Sequence, residues 1–528
     1  PFIILAPVVG AVLVALLVKN FAPEAKGHGV PEVMDAIYYK KGVIRPVVAL
    51  VKSIASALAI GSGSAVGREG PIIQIGSALG STLGQVITMR AGQRITLVAA
   101  GAGAGIAATF NTPIGGVLFA TELMLPEISV NTFLPVALAT GTATFIGRLF
   151  FGSQAAFNVP ANLAVIPNEP SSALTLVLYA VLGAVTGVAA ALFVRGLHWM
   201  EDGFDMIRGS YVRHASGMLI VGIMMYALWL AAGHYYIEGV GYATIQATLH
   251  GQITLAPFLL LLFVGKLLAT SISLGSGSSG GIFSPSLYMG AMLGAAFASA
   301  ITALFPGAPV SLPAFAMVGM GAMVGGGTGA AMTAVTMIFE MTRDYNIVLP
   351  MIVAVAVALA VRRLVSRETI YTLKLVRRGH PIPTALHANM FLVRNAGDIM
   401  EHDVLVLDEN AAFSDFSRLA AAQGGLRHAV VTRGGAVLGV ILLDADLRKA
   451  VDLTGDDTKL GELVSPNFTI VEETDAAFDV ITTLSRKNAV VAIVIGLTRL
   501  GEPQRVLGVI TKERVADAVA SSIELYPS

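Results

Sequence analysis

The stretch from Gly61 to Pro71 places charged side chains within irregular, apolar surroundings. It reads GSGSAVGREGP and sets one acidic residue, Glu69, beside one basic residue, Arg68, with hydrophobic segments on both sides. Such a run predicts irregular backbone that leads into a helix at membrane depth, which is tolerated only where it lines a cavity. A charge at that depth costs at least about 2.5–3.5 kcal/mol, so the pair indicates function.

A structural salt bridge is the alternative role for this pair. Neighbouring residues on a helix point about 100° apart, so Arg68 and Glu69 face each other poorly. The functional interpretation is that the Glu69 carboxylate projects into an anion pathway and competes with the ion for its site. It would then be a gate that opens when the carboxylate is protonated or displaced.

The same pattern returns at Gly275 to Pro285, which reads GSGSSGGIFSP and aligns without gaps with Gly61 to Pro71. We call the separation of these two copies the repeat offset. Glu122 and Glu340 extend the repeat at nearly the same offset. Two halves that each carry a Gly-rich helix start and a glutamate are typical of transporters with internal repeats and a site near the midplane. We expect Glu122 and Glu340 to have a structural role, as partners of backbone groups at a helix end.

The Gly-rich turns also suit anion binding. Successive backbone N–H groups at a helix start form a concave donor site, and the helix dipole adds positive potential. An anion can therefore bind without a full countercharge. Close helix packing in lipid is the alternative reason for these glycines, and the second copy at equal spacing favours binding.

Composition defines the class of protein. Hydrophobic residues make up 55% of the 528 residues and charged residues 13%, and the mean hydropathy is +0.75, which predicts an integral membrane protein. The formal net charge is zero, so nucleic acid is not expected as a partner. The chain has no cysteine and no HExxH pattern, so neither a metal site nor an enzyme activity is predicted.

The fold class predicted for residues 1–378 is an all-α, multi-pass membrane domain with inverted internal repeats and broken helices, its halves at about 1–155 and 170–378. Several apolar segments are shorter than the roughly 20 residues that a full span needs, as expected for half-helices that end inside the protein. The segments lie at 2–18, 46–60, 95–125, 130–151, 173–197, 216–233, 255–272, 286–305, 313–340 and 347–365.

The sequence changes character after residue 378. Pro381 and Pro383 mark a linker at 379–397. Residues 398–528 show short alternating strands and amphipathic helices, which predict a soluble α/β domain.

This C-terminal region repeats internally. The segment at 437–441, VLGVI, returns unchanged at 506–510. Each copy leads into a helix-like stretch, at 444–451 and 512–519, so we expect two α/β units that pack face to face.

The segments at 67–71, GREGP, and 281–285, GIFSP, resemble two signature motifs of the CLC family of chloride channels and proton-coupled chloride antiporters. A third family motif, usually GSGIP, corresponds to GHGVP at 27–31. The resemblance covers residues 1 to about 378. It implies one or two helices before the first residue given, a homodimer with one pore in each subunit, and chloride as the transported ligand in a lipid bilayer.

This resemblance implies that Glu69 is the gate. It also implies that the amides of residues 282 and 283 and the Tyr371 hydroxyl contact the central ion. Position 28 departs from the family, which usually has Ser there. The imidazole of His28 either donates a hydrogen bond to the anion or caps a neighbouring helix, which leaves the anion preference open. The implied anion-binding set is His28, Gly29, Arg68, Glu69, Ile282, Phe283 and Tyr371.

Family antiporters commonly carry a second, proton-passing glutamate directly after the position of Glu122. Here that position is Leu123, which cannot bind a proton. The sequence therefore predicts channel-like chloride permeation that is gated by Glu69 and by pH or voltage. A proton-coupled chloride antiporter is the alternative, and a membrane-anchored, ligand-sensing regulator is a remote one.

The C-terminal region resembles tandem CBS domains, regulatory modules often attached to CLC proteins, which implies a cytoplasmic tail on a protein of the plasma or inner membrane. CBS units that bind adenine nucleotides usually carry Thr and Asp after a core strand. The first copy has Leu442 and a displaced Asp446, and the second has Thr511 but Arg514 in the acidic place. Nucleotide binding and a purely structural, dimerising role remain alternatives, and no other cofactor is predicted.

Overall fold

The computed structural model describes residues 2–87, 89–126, 128–159, 173–308, 310–382, 395–422, 428–442, 458–496 and 505–517. The chain forms two compact units, Pro1–Ile382 and Pro383–Ser528. Most of the predicted loop at 156–172 and of the linker at 379–397 lies outside the described residues, as does the helical stretch predicted at 444–451.

The first unit is helical because a chain inside a bilayer must satisfy its backbone groups internally. α6 continues as a π-helical turn, Ala120–Met124, and 3₁₀ turns lie at Pro23–Ala25 and Tyr345–Ile347. The helices are α1 (Phe2–Phe21), α2 (Val30–Tyr39), α3 (Val47–Gly61), α4 (Glu69–Val86), α5 (Ala91–Phe110), α6 (Pro113–Phe119), α7 (Val130–Phe151), α8 (Ala173–Asp205), α9 (Ser210–Ala232), α10 (Tyr242–Leu249), α11 (Ala256–Ser276), α12 (Phe283–Leu304), α13 (Leu312–Thr328), α14 (Ala331–Thr342), α15 (Val348–Val365) and α16 (Thr372–Arg377).

Seven helical segments within the described residues are long and apolar enough to cross a membrane: α1, α7, α8, α9, α11, α12 and the segment Tyr345–Val365 that contains α15. Helices α3, α13 and α14 are apolar but shorter. On α7, Leu138 and Phe151 are 70% and 87% exposed, as expected for side chains that face lipid. This mostly helical architecture confirms the predicted fold class.

Two apolar runs that look continuous in the sequence are each broken by one residue in the left-handed conformation. The run at 95–125 breaks at Asn111, with φ 59°, between α5 and α6. The run at 313–340 breaks at Gly329, with φ 83°, between α13 and α14. Asn111 and Gly329 are separated by nearly the repeat offset, so both repeats place a short second helix after a left-handed helix end.

The helix pairs α4/α5 and α12/α13 pack backbone against backbone. A Cβ on Gly101 would lie 2.1 Å from the Gly76 carbonyl oxygen, and a Cβ on Gly319 would lie 2.3 Å from the Gly290 carbonyl oxygen. Small residues permit this close approach. Gly76 and Gly290 are separated by the repeat offset, so the repeat also determines helix packing.

The second unit contains two three-stranded sheets with the same topology. In each sheet the first two strands are parallel and the last two antiparallel. The elements are α17 (Ala396–Ile399), β1 (Leu405–Asp408), α18 (Phe413–Ala422), β2 (His428–Arg433), β3 (Ala436–Leu442), α19 (Leu460–Leu463), β4 (Phe468–Glu472), α20 (Ala477–Arg486), β5 (Val491–Ile495) and β6 (Val506–Thr511).

The VLGVI repeat forms corresponding strands, β3 and β6, and side chains of both sheets share one core. Val430 and Val440 from the first sheet pack in one cluster with Val491, Ile493 and Val509 from the second. Each sheet presents an apolar face, and burying the two faces together removes them from water. This arrangement is compatible with the predicted CBS pair.

Two of the four positions considered for nucleotide binding, Thr511 and Arg514, make hydrogen bonds within the second unit. The Thr511 hydroxyl accepts a hydrogen bond from the Arg514 amide at 3.0 Å, and the Arg514 Nε donates to the Ile399 carbonyl at 3.2 Å. Both side chains therefore bind backbone groups of the second unit. Asp446 lies outside the described residues.

Candidate functional site

Three helices of the first unit begin at one junction. Gly67 and Gly281 form an antiparallel bridge, with N–H to O distances of 2.7 and 2.6 Å, just before α4 and α12. Gly27 pairs in parallel with Ser279, just before α2. The amino ends of helices from both repeats, which carry the positive end of the helix dipole, therefore meet in one place.

Glycine is required where these segments of the chain touch. A Cβ on Gly70 would lie 2.1 Å from the His28 carbonyl oxygen, and a Cβ on Gly281 would lie 2.6 Å from the Gly70 nitrogen. Such distances leave no space for a side chain. The glycines of the motifs thus permit the junction, whereas the neighbouring side chains supply its chemistry.

The Glu69 carboxylate is fully buried and is bound by donors from the second repeat. The Ser284 amide donates to its Oε2 at 3.2 Å, the Tyr242 hydroxyl donates to its Oε1 at 2.8 Å, and the Ser284 hydroxyl also bonds Oε1. We call these three groups the donor pocket. Neutral donors at a helix start suit a negative charge, so the carboxylate occupies a place where a small anion could bind.

Aromatic rings enclose the donor pocket. The Tyr242 ring centroid lies 5.3 Å from that of Phe157 and 6.5 Å from that of Phe110. Phe283, the first residue of α12, is 3% exposed, and Ile282 before it is 2% exposed. A site with so little water strengthens each interaction with a charge.

Arg68 does not pair with Glu69. Its side chain is exposed, and its Cζ lies 5.5 Å from the Tyr242 ring centroid. No ion pair of Arg68 is found among the described residues, so the salt-bridge alternative is not supported. Arg68 adds positive potential next to the donor pocket through Tyr242.

His28 and Tyr371 lie together on another side of the junction. Each is 1% exposed, and their ring centroids are 5.7 Å apart. Neither ring nitrogen of His28 has a hydrogen-bond partner, which contradicts the helix-capping alternative. Buried polar atoms usually have partners, so the His28 ring nitrogens are available to a ligand. Gly29, the next residue, precedes α2 with φ 82°.

Two fully buried lysines hold the loops that carry these side chains. Lys52 donates to two backbone carbonyls, including that of Gly27 at 2.7 Å. In the other repeat Lys266 donates to three backbone carbonyls, including that of Gly239 at 2.6 Å. The two lysines are separated by the repeat offset. Sequence analysis missed them, although a lone lysine at matched positions of the two apolar segments was a usable signal.

Tyr242 and Ser284 were also missed. Tyr242 follows Gly241 as His28 follows Gly27, again at the repeat offset, and both glycines have φ 79°. Extending the repeat alignment would have identified Tyr242. Ser284 lies inside the GIFSP motif, but its contact with Glu69 depends on how the two repeats meet.

Glu122 and Glu340 bind helix starts across the repeats. Glu122 accepts from amides at the start of α14, including that of Thr333 at 2.9 Å. Glu340 accepts from amides at the start of α6, including that of Gly115 at 2.7 Å. The expectation of a structural role is confirmed. Leu123 lies half-buried in the π-helical turn and packs against the core.

A cavity of about 820 Å³ with a charged lining opens beside the junction and reaches Gly27, the neighbour of His28. Glu32 in its wall forms ion pairs with Lys374 at 3.0 Å and Arg378 at 2.9 Å. Burial raises the pKa of Glu32, but the two cations outweigh burial and hold its pKa well below the usual range. The cavity gives ions and protons from solution a route to the vicinity of His28.

Comparison with known proteins identifies the family. The family model for "Voltage gated chloride channel" matches residues 10–363. The chain belongs to the CLC family. It is 33% identical over 366 residues to an H(+)/Cl(−) exchange transporter, ClcA, of Klebsiella pneumoniae subsp. pneumoniae, covering 68% of this chain and 75% of that CLC protein.

Solved CLC structures agree with the fold. A slow cyanobacterial Cl−/H+ antiporter superposes with a TM-score of 0.63 at 28% identity, covering 71% of this chain and 86% of the other. A eukaryotic CLC transporter gives a TM-score of 0.60 over 97% of this chain and 89% of its own, at 19% identity, which is a likeness of fold alone. The chain is thus a multi-pass CLC membrane transporter and not an enzyme. These similarities favour the antiporter alternative over channel-like permeation.

Proposed function

We propose that this CLC protein exchanges chloride for protons across the membrane, with Glu69 as both gate and proton carrier. The observation that carries the proposal is the buried Glu69 carboxylate in the donor pocket. A carboxylate and a chloride ion suit the same donors and cannot occupy them together. The similarity to ClcA and to the cyanobacterial antiporter supports exchange.

The proposed cycle alternates the two occupants of the donor pocket. Chloride enters the donor pocket and displaces the Glu69 side chain. The carboxylate thereby loses its hydrogen bonds from Ser284 and Tyr242. The displaced carboxylate takes a proton, because a charged carboxylate without those donors has lost the groups that stabilise it. When the side chain releases its proton on the other side and returns to the pocket, chloride is expelled.

We further infer that the central anion contacts His28, Tyr371 and the amides of Ile282 and Phe283, with Gly29 in the adjoining turn. The two unpartnered ring nitrogens of His28 support this assignment. Imidazole can donate one hydrogen bond when neutral and two when protonated. Arg68 contributes long-range attraction rather than a direct contact.

Protons need a second titratable group between Glu69 and the cavity, since Leu123 cannot serve. We infer that His28 takes this part. It adjoins Gly27 in the cavity wall and packs against Tyr371. Burial lowers the pKa of His28, and the neighbouring charge of Lys374 lowers it further, whereas Glu32 raises it. His28 would therefore hold a proton only briefly during transfer.

The remaining partners are proposed by family resemblance. We propose a homodimer in the cell membrane, with one pore in each subunit and residues 383–528 in the cytoplasm as a CBS-type regulatory pair. The hydrogen bonds of Thr511 and Arg514 to backbone groups of the same unit support a structural role of that pair over adenine nucleotide binding.

The test is proton transport driven by chloride. Purified protein is reconstituted in liposomes loaded with concentrated chloride, and a pH electrode records the outside solution while valinomycin clamps the voltage. Exchange predicts uphill proton movement that follows the chloride gradient and that a proton ionophore collapses. Chloride efflux without proton movement would refute exchange and would support the channel-like alternative, for which Leu123 is the specific argument.

A further inference from the structure

A small cleft lies between the end of α1 and the start of α9. It has a volume of about 200 Å³. Both helices are long and apolar enough to cross a membrane, so the end of one span and the beginning of another lie at the membrane boundary, where lipid headgroups and solutes are found.

Cationic side chains surround this cleft. Lys19, Lys26 and Arg213 line it. Lys19 also lies over the Tyr211 ring, 5.2 Å from its centroid, and Arg213 forms an ion pair with Asp205. Burial and the neighbouring Arg213 charge lower the pKa of Lys26. The carboxylates of Asp205 and Glu201 offset only part of the positive charge around Lys26. A bound anion would therefore relieve the repulsion among the cations.

Buried polar atoms without partners indicate that the cleft is a binding site. His214 is 1% exposed; its Nδ1 bonds the Ser276 hydroxyl at 3.1 Å, whereas its Nε2 is buried without a partner. Ser210 Oγ and Arg213 Nε are also buried and unpartnered. All three residues line the cleft, at the amino end of α9, where the helix dipole favours negative charge.

We propose that this cleft binds a phosphate group. A phosphate has several acceptor oxygens and a negative charge, which match an arginine, lysines, a hydroxyl and an imidazole better than a single-atom anion does. The group comes either from the headgroup of an anionic phospholipid or from free inorganic phosphate. The cleft shares Lys26 with the wall of the charged cavity, so occupancy would also influence ions that approach the transport pathway.

The experiment uses the purified full-length chain. Binding of phosphatidylglycerol and of inorganic phosphate is titrated separately in detergent by native mass spectrometry and by thermal shift, with phosphatidylcholine as the neutral lipid. Arg213→Gln is the test variant. Arg208→Gln is the matched control, because Arg208 is exposed five positions away and does not line the cleft.

We expect Arg213→Gln to weaken binding by about fivefold, as expected for the loss of one cation near a surface, and Arg208→Gln to leave affinity within about twofold. Preference for phosphatidylglycerol over phosphatidylcholine assigns the lipid as the source; binding of inorganic phosphate alone assigns the free ion. If neither probe binds, or if both variants weaken binding equally, the proposal is wrong. Lys19→Gln, at the end of α1, provides a second variant should Arg213→Gln fold poorly.

Discussion

The two repeats of the membrane unit share a scaffold but differ in their chemistry. At matched positions both halves keep the glycine of the bridge, Gly67 or Gly281, and the buried lysine, Lys52 or Lys266. Position 69 differs, because the first repeat has glutamate where the second has Phe283 at the corresponding place. One half therefore supplies the titratable group, and the other supplies the donors that bind it.

The same division applies to the loops before α2 and α10. Lysine bonds to backbone carbonyls fix both loops, yet one presents His28 and the other Tyr242. His28 has no protein partner for its ring nitrogens, whereas Tyr242 already donates to Glu69. Duplication thus produces the shared scaffold of the site. Different residues at a few matched positions make the contributions of the two repeats chemically different.

The largest effect is expected from Glu69→Gln, which makes the proposed gate permanently neutral. Chloride flux at neutral pH should rise and lose most of its pH dependence, and proton movement should fall by about tenfold or more, because an amide neither gains nor loses a charge by protonation near neutral pH. Chloride efflux and external pH are recorded from the same liposomes.

Glu238→Gln is the control, since that carboxylate lies in the loop bonded by Lys266 and does not contact the donor pocket. Wild-type pH dependence in Glu69→Gln would show that the carboxylate is not the gate.

The next largest effects are expected from variants of His28 and of Tyr242, its counterpart in the other repeat. His28→Ser should change the relative permeability of chloride, nitrate and fluoride and reduce the number of protons moved for each chloride, because it removes both an anion ligand and a proton acceptor. Tyr242→Phe should change selectivity less than His28→Ser does, and it should raise the pH of half-maximal flux by about one unit, since it removes one donor to the Glu69 carboxylate.

Reversal potentials in mixed anions and flux at several pH values distinguish the two variants. Equal selectivity in His28→Ser and the wild type would contradict the role of His28 as an anion ligand.

The buried lysines test whether the shared scaffold is equally important in both halves. Lys52→Met and Lys266→Met should each destabilise the protein by about 2–4 kcal/mol, because buried carbonyls lose charge-assisted hydrogen bonds. Thermal unfolding in detergent measures the loss. Lys512→Met, at an exposed lysine of the second unit, is the control. A large loss of stability for only one of the two buried lysines would show that the repeats depend unequally on this residue.

The smallest effect is expected from the crossed glutamates. Glu122→Ala and Glu340→Ala should each cost about 1–2 kcal/mol, the usual value of a lost helix cap, and the double variant should lose about the sum. Glu513→Ala, in the second unit, controls for removal of an exposed carboxylate. A change in ion selectivity would show that one of these glutamates lies on the transport pathway.

Much of the fold followed from the sequence, because repeats, glycine spacing and hydropathy are properties of the chain itself. Glu69 could be singled out since a carboxylate in an apolar, Gly-rich run is costly. The helix breaks at Asn111 and Gly329 were not predicted, because hydropathy alone defined the apolar segments. Pro113 after Asn111 and the glycines before Gly329 were usable signals of a helix end.

The partners of the site could not be predicted in the same way. Ser284 and Tyr242 meet Glu69 from positions 215 and 173 residues away, and such contacts depend on how the repeats pack. Arg68 illustrates the reverse case, because its sequence neighbour is Glu69 but its side chain turns outward over Tyr242. The sequence pattern singled out Glu69, and the tertiary structure determines which groups bind it.

The crossed glutamates have a consequence for how the protein is made. Amides at the start of α6 are synthesised before their partner Glu340, which is 225 residues further along the chain than Gly115. At typical rates of synthesis this interval lasts on the order of 10 s or more. During that time the amides at the start of α6 lack their partner from the second half, so water or the insertion machinery must satisfy them until Glu340 arrives.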